Sequence, residues 1–249
     1  MLSPEERDRY TWQLWLEGLG EAGQQKLKRA SVLVSRCGGV GGTAALYLAA
    51  AGIGRLVLAH GGNLRLNDLH RQILMTHEGV NKPRLETAAA TIARLNPHVV
   101  VETVPANISD SNVRELVQRV DCVVSAAPLF EERFAMNREA VRQGKVMVDA
   151  AMYDLEAHVL TIVPGRTACL SCLYETPPDY WRREFPVLGA VSGMAGCIAA
   201  TEIIKHITGM GKTLAHGGRG EGRMLVANLR DMDFKTVSVK RRTNCAVCG

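Results

Sequence analysis

Two periods of apolar residues alternate along this chain. A β-branched run at 32–35 breaks at Gly38-Gly39-Val40-Gly41-Gly42; an alanine-rich helical run covers 43–51, and a second apolar run at 56–59 ends at His60-Gly61-Gly62. Strand, glycine turn, helix and strand make a βαβ unit. Leu85, Ala88, Ala89, Ile92 and Leu95 then recur at helical spacing, and 99–104 reads as a strand. The alternation continues with a helix at 111–120, a buried strand at 122–126, a helix at 130–142 and another buried strand at 146–150. This order predicts an α/β, Rossmann-like, doubly wound and mainly parallel sheet.

Outside that core the pattern differs. Residues 3–30 read as helical, because Ser3-Pro4-Glu5-Glu6 combines an N-cap, a first-turn proline and two early acids; the helix breaks at 18–23. Within it, Trp12, Leu14, Trp15, Leu16 and Leu19 suit either a core or an interface. After residue 150 a strand at 158–163 follows with no intervening helix, so the sheet turns mixed. Strands at 224–229 and 236–239 complete an antiparallel C-terminal extension. An apolar helix covers 193–208, and 215–222 is too glycine-rich to hold one conformation. The stretch 166–188, with Pro177-Pro178 and Trp181-Arg182-Arg183, is long and irregular, and a loop of that length is more often functional than not. The polar stretch 67–72 falls at the carboxyl edge of the sheet, where ligands bind in such folds. The expected organisation is one domain over 1–249: an N-terminal helical segment at 1–30, a nucleotide-binding half at 31–150 and a mixed-sheet half at 151–249.

Composition narrows the picture. A chain of 249 residues, 47% hydrophobic, buries a full core. Its apolar runs are too short to span a bilayer, and residues 1–10 carry charges where a signal peptide needs an apolar stretch, so a cytoplasmic protein with no membrane partner is expected. The net charge of +5 is scattered apart from 240–242, which leaves no nucleic-acid footprint. Seven cysteines then argue for reduced thiols and metal ligands rather than a disulfide framework. Cys169 with Cys172, and Cys245 with Cys248, are two C-x-x-C pairs that can converge on one tetrathiolate site. Zinc suits such a site, and four thiolates leave no open coordination position, so the metal would be structural; a redox pair is the other reading. Cys37, Cys122 and Cys197 read as buried small hydrophobes.

The glycine turn lets backbone N–H groups at a helix N-terminus approach phosphate, which makes a nucleotide the first ligand to consider; tight strand-to-helix packing is the other reason for such glycines. Arg71 and Arg84 are candidate phosphate clamps, since a guanidinium is always charged and its planar fork suits phosphate oxygens; surface salt bridges are their alternative role. A dinucleotide fold holds ribose with an acid at the end of the second strand, where this chain has His60-Gly61-Gly62, and that disfavours an NAD-dependent oxidoreductase.

The glycine turn, LHRQ at 69–72, NKPRLETA at 81–88, ARLNP at 93–97, ACLSCL, FPVLGAVSG and the two C-x-x-C pairs together resemble the ThiF/MoeB/HesA family, relatives of ubiquitin-activating enzymes, over essentially the whole chain. The resemblance implies a homodimer that binds ATP and magnesium and adenylates the C-terminal carboxylate of a small ubiquitin-like sulfur carrier. Its setting would be sulfur-carrier, molybdenum-cofactor or nitrogenase-cofactor biosynthesis, with a nitrogenase-assembly protein as another possible partner in nitrogen fixation. It places Gly38, Gly39 and Gly41 in the phosphate loop, Arg71 and Gln72 beside the nucleotide, Arg84 where the family has a phosphate-binding lysine, and the four paired cysteines on zinc. Against the family pattern, His60 and Gly62 stand in place of two acids, Pro128 in place of a magnesium-binding acid, Trp12 in place of an arginine and Arg36 in place of the first loop glycine. On this reading Arg71 and Arg84 are the catalytic candidates, and His60 and Asn63 sit near the ribose. Asp68, Asp149 and Asp154 remain as acids. A catalytically reduced binding or scaffold protein for cofactor assembly is the alternative.

Overall fold

A computed structural model describes residues 1–179 and 181–249; residue 180, in the long loop, lies outside the described residues. The first helix, α1 (Pro4–Arg9), begins with the expected cap: the Ser3 hydroxyl accepts from the Glu6 N–H, and the Glu6 carboxylate accepts from the Ser3 N–H at 2.7 Å. Helices α2 (Thr11–Leu14) and α3 (Gly20–Arg29) follow. Leu19 is buried, whereas Trp12 and Trp15 are 79% and 68% exposed with ring centroids 4.9 Å apart. Of the two roles open to the tryptophans, a place in this chain's own core is thereby removed.

The chain then alternates through β1 (Ser31–Ser35), α4 (Gly39–Ala50), β2 (Arg55–Ala59), α5 (Arg84–Leu95), β3 (Val100–Val104), α6 (Val113–Gln118), β4 (Cys122–Ser125), α7 (Phe130–Arg142) and β5 (Val146–Tyr153). The five strands are parallel and ordered β3-β2-β1-β4-β5. Both faces of this sheet are covered. Val32, Val34, Leu56, Leu58, Val124 and Val148 cluster with Leu48 and Ile92 on one side. Leu33, Val57, Val123 and Met147 cluster with Leu116, Val117 and Met136 on the other. Burial on both faces explains why the central strands β1, β2 and β4 read as apolar runs, whereas the edge strand β3 is partly exposed, and each fully buried aliphatic side chain contributes roughly 1.5–3 kcal/mol.

The second half adds β6 (Glu156–Ile162), α8 (Leu170–Leu173), α9 (Gly189–Thr208), β7 (Glu221–Asn228) and β8 (Asp233–Lys240). Strands β6, β7 and β8 join the same sheet antiparallel, as expected, giving eight strands among the described residues. The boundaries shift where alternation is interrupted. Strand β5 continues to Tyr153 and turns at Asp154, whose φ is 55°, so β6 begins two residues before the expected start. Strand β8 is longer than its apolar positions suggest, because an edge strand exposes most of its side chains to water. The glycine-rich stretch 215–222, expected to hold no single conformation, is instead tied down: Ala215 is buried, the Gly220 N–H donates to the Arg166 carbonyl at 2.8 Å, and β7 begins within it. No helix among the described residues is long and apolar enough to cross a membrane.

Candidate functional site

Neighbouring strands β1 and β4 lead into connections on opposite sides of the sheet, so a crevice opens beyond their carboxyl ends. A cleft of about 1250 Å³ lies there. Gly38, Gly39, His60, Asn63, Arg71, Gln72 and Arg84 all line it, so residues chosen from separate motifs share one wall. Gly41 does not. A Cβ on Gly41 would run into the Arg36 carbonyl oxygen, so this glycine is required by the tightness of the turn itself. The long loop crosses over the cleft: 183–185 and Val187 line it, and the Trp181 indole Nε1–H donates to the Pro128 carbonyl at 2.7 Å.

Arg84 is largely committed to building this wall. Its Nε donates to the Gly62 carbonyl at 3.2 Å, Nη2 to the Asn63 carbonyl at 2.5 Å, and Nη1 to Gln72 Oε1 at 3.1 Å and Asp68 Oδ2 at 3.4 Å. Arg71 is more open, with Nη2 on Asp68 Oδ1 at 2.9 Å and Nη1 on the Asn67 carbonyl at 2.9 Å. Asn63 turns away, its amide donating to the Asn81 carbonyl at 3.0 Å. His60 is buried, and its Nδ1 has no hydrogen-bond partner. Burial, followed by the positive charges of Arg84, Arg36 and Arg183, pushes its pKa down to about 2, so the ring stays neutral at physiological pH.

The two C-x-x-C pairs do converge. Cys169 Sγ lies 4.0 Å from Cys172 Sγ and 3.7 Å from Cys245 Sγ, and Cys172 Sγ lies 3.5 Å from Cys248 Sγ. All four sulfurs fall within 4.8 Å of one another. Zn–S bonds of about 2.3 Å in a tetrahedron need sulfurs about 3.8 Å apart, so the group fits a zinc ion. Burial raises the Cys245 thiol, but the backbone N–H groups of Cys248 and Val247 together with the Cys172 and Cys169 thiols bring it down to about 6. Burial pushes Cys37 and Cys122 up to about 12, in keeping with their reading as inert core residues.

Residues 10–247 match the family described as ThiF. The chain belongs to the ThiF family. Protein HesA, heterocyst, from Trichormus variabilis is 46% identical over 248 residues, covering 100% of this chain and 91% of the relative. The sulfur carrier protein adenylyltransferase of Thermus thermophilus is 35% identical, covering 98% of this chain and 92% of its own. Among solved structures, E. coli MccB with ATP superposes with a TM-score of 0.84 at 23% identity over 97% of this chain and 74% of that one, a likeness of fold.

This ThiF-family cleft departs from what a magnesium ion requires. Magnesium is a hard cation held by oxygen, above all carboxylate. Both Asp68 oxygens face Arg71 and Arg84. Asp149 is buried against Arg133 and Ser125, and Asp154 pairs with Arg230 outside the cleft. Glu184 is exposed on the covering loop. The residues present do not fit a carboxylate-held magnesium. Sequence reasoning also missed the partners of two buried arginines, Glu132 for Arg36, which lines the cleft, and Asp149 for Arg133, which does not. One signal was available for the first: an arginine standing in a glycine turn needs a reason.

Proposed function

We propose that this chain binds ATP in the cleft and adenylates a carboxylate at the C-terminus of a small carrier protein. In that reaction a carboxylate oxygen bonds to the α-phosphorus while the bond to the β-phosphate's bridging oxygen breaks, releasing pyrophosphate. The observation that carries this reading is the convergence of the glycine turn, Arg71, Gln72, Arg84 and His60 on one cleft at the carboxyl ends of the strands. Its volume exceeds the roughly 300–1,000 Å³ usual for small-molecule sites, leaving room for a nucleotide and the end of a peptide. The 35% identical relative named as a sulfur carrier adenylyltransferase supports the choice of substrate. Sulfur-carrier, molybdenum-cofactor or nitrogenase-cofactor biosynthesis is the setting, in a cytoplasmic protein built as one domain with structural zinc on its four paired cysteines.

One observation favours a second reading, a binding or scaffold protein without adenylating activity: Asp68, the buried acid lining the cleft, is engaged by Arg71 and Arg84. Calorimetric titration with ATP, paired with a pyrophosphate-exchange assay on candidate carboxylates, separates the two. For the adenylyltransferase, ATP binds, exchange proceeds, and Arg71→Ala weakens binding about tenfold, the loss of one charge-assisted contact. Binding without exchange supports the scaffold. No binding overturns the nucleotide reading.

The exposed Trp12, Trp15 and Leu16 form the face that we assign to a homodimer. Aromatic residues of this kind dominate interface energetics. Light scattering at micromolar concentration is expected to give twice the chain mass, and Trp12→Glu to shift it toward one; a monomeric wild type would contradict the assignment.

A further inference from the structure

Arg36 opens the connection out of β1 and enters the glycine turn with its backbone at φ 59°, in the left-handed region where L-residues are uncommon. Its side chain is held as firmly as its backbone. Nε lies 3.2 and 2.9 Å from the two oxygens of the Glu132 carboxylate, and Nη2 donates to Oε1. The two side chains are only 9% and 6% exposed, and the pair uses Nε and Nη2, leaving Nη1 outside it. Arg36 nevertheless lines the cleft beside Gly38 and Gly39. A fixed guanidinium therefore stands at the turn whose N–H groups receive phosphate in the reading above.

The charge around it is lopsided. Arg36, Arg65, Arg71, Arg84 and Arg183 line the cleft against two lining carboxylates, Asp68 and Glu184, with Glu132 behind Arg36 as the third, which still leaves positive charge in excess. His60 adds no negative charge where it stands, and its buried Nδ1 awaits a partner that the chain does not provide. A nucleotide that arrived with magnesium would bring less negative charge to meet this excess than the metal-free form, and the ion would find no free buried carboxylate to hold it. A metal-free polyphosphate meets the opposite situation, because arginine binds phosphate oxygens through a planar, permanently charged fork.

We propose that Arg36, braced by Glu132, does the charge-neutralising work of a divalent cation, so that this cleft takes a nucleotide polyphosphate without metal. The proposal rests on the ATP reading given above. It makes Arg36 a phosphate-binding residue and Glu132 a positioning residue that acts through it.

The test is calorimetric titration of the full chain with ATP, once in excess EDTA and once in excess magnesium. Wild-type affinities in the two buffers are expected to agree within about threefold, less than the loss of one hydrogen bond to a charged group. The informative variant is Arg36→Gly with Glu132→Gln, since glycine accepts the left-handed backbone and glutamine leaves no unpaired buried carboxylate. Its metal-free affinity is expected to fall about tenfold or more, with the circular dichroism spectrum unchanged. A wild type that loses tenfold or more of its affinity in EDTA overturns the proposal while leaving ATP binding intact. A folded double variant with unchanged affinity also overturns it, by showing that the ion pair only braces the turn. Absence of binding in both buffers overturns this proposal and the ATP reading together. If the double variant does not fold, the metal dependence of the wild type decides alone.

Discussion

Cys245→Ser is expected to abolish zinc binding and lower the melting temperature by roughly 10 °C, the shift for about 3–5 kcal/mol in a domain of this size. The tail from 241 onward leaves the exposed edge strand β8 and folds back so that Cys245 and Cys248 meet Cys169 and Cys172. Cys169 caps α8, and the Leu170 N–H donates to Asn137 Oδ1 at 3.0 Å, so the metal would tie the tail to α7 as well as to the loop. Without the ion, four sulfurs within 4.8 Å of one another repel as thiolates or lose their partners as thiols. Elemental analysis of protein purified without added zinc should return about one zinc per chain, and a strong chelator should reproduce the melting shift of the serine variant. Protein that is metal-free as isolated and melts as the variant does would end this assignment. Cys197→Ser, away from the cluster, serves as the control and should change neither quantity.

Arg133→Leu is expected to cost about 3–5 kcal/mol in chemical denaturation, because it strands a buried carboxylate without its counter-charge. Arg133 Nη2 donates to Asp149 Oδ2 at 2.6 Å and Nε to Oδ1 at 3.1 Å, with both side chains 4% exposed. The Ser125 hydroxyl donates to the same Oδ1 at 2.8 Å and cannot neutralise it alone. The guanidinium also lies 4.3 Å over the Phe130 ring, a cation–π contact that leucine lacks. A second change, Asp149→Asn, removes the stranded charge and should restore part of the loss, whereas Arg133→Lys should not, since an ammonium cannot bridge both oxygens in the same plane. Equal stability of Arg133→Leu and wild type would show that water reaches Asp149. The pair matters for the site because it joins α7 to the middle of β5, and α7 is the helix that carries Glu132 to Arg36.

Local information was enough for the parallel half of the sheet. The central strands, buried on both faces, are apolar runs, the edge strand β3 keeps a β-branched run, and helices between them carry their own period, so β1 through β5 were legible without any knowledge of their partners. The capping box at Ser3 and the metal-binding potential of the cysteine pairs were legible for the same reason, since each is a short-range pattern of residue types. The edge strand β8 was legible only in part, as the solvent exposure of every side chain but Val239 removes most of the apolar signal. What the tertiary structure decided are pairings between distant residues. Arg36 meets Glu132 across 96 positions, and Cys169 meets Cys245 across 76. Arg84 shows the limit most clearly: its charge and place in the NKPRLETA helix were visible, but its engagement with the carbonyls of Gly62 and Asn63 follows from how the 60–72 loop packs over α5. A side chain's charge is written in its own residue, whereas its partners are set by which segments the fold brings within hydrogen-bonding distance.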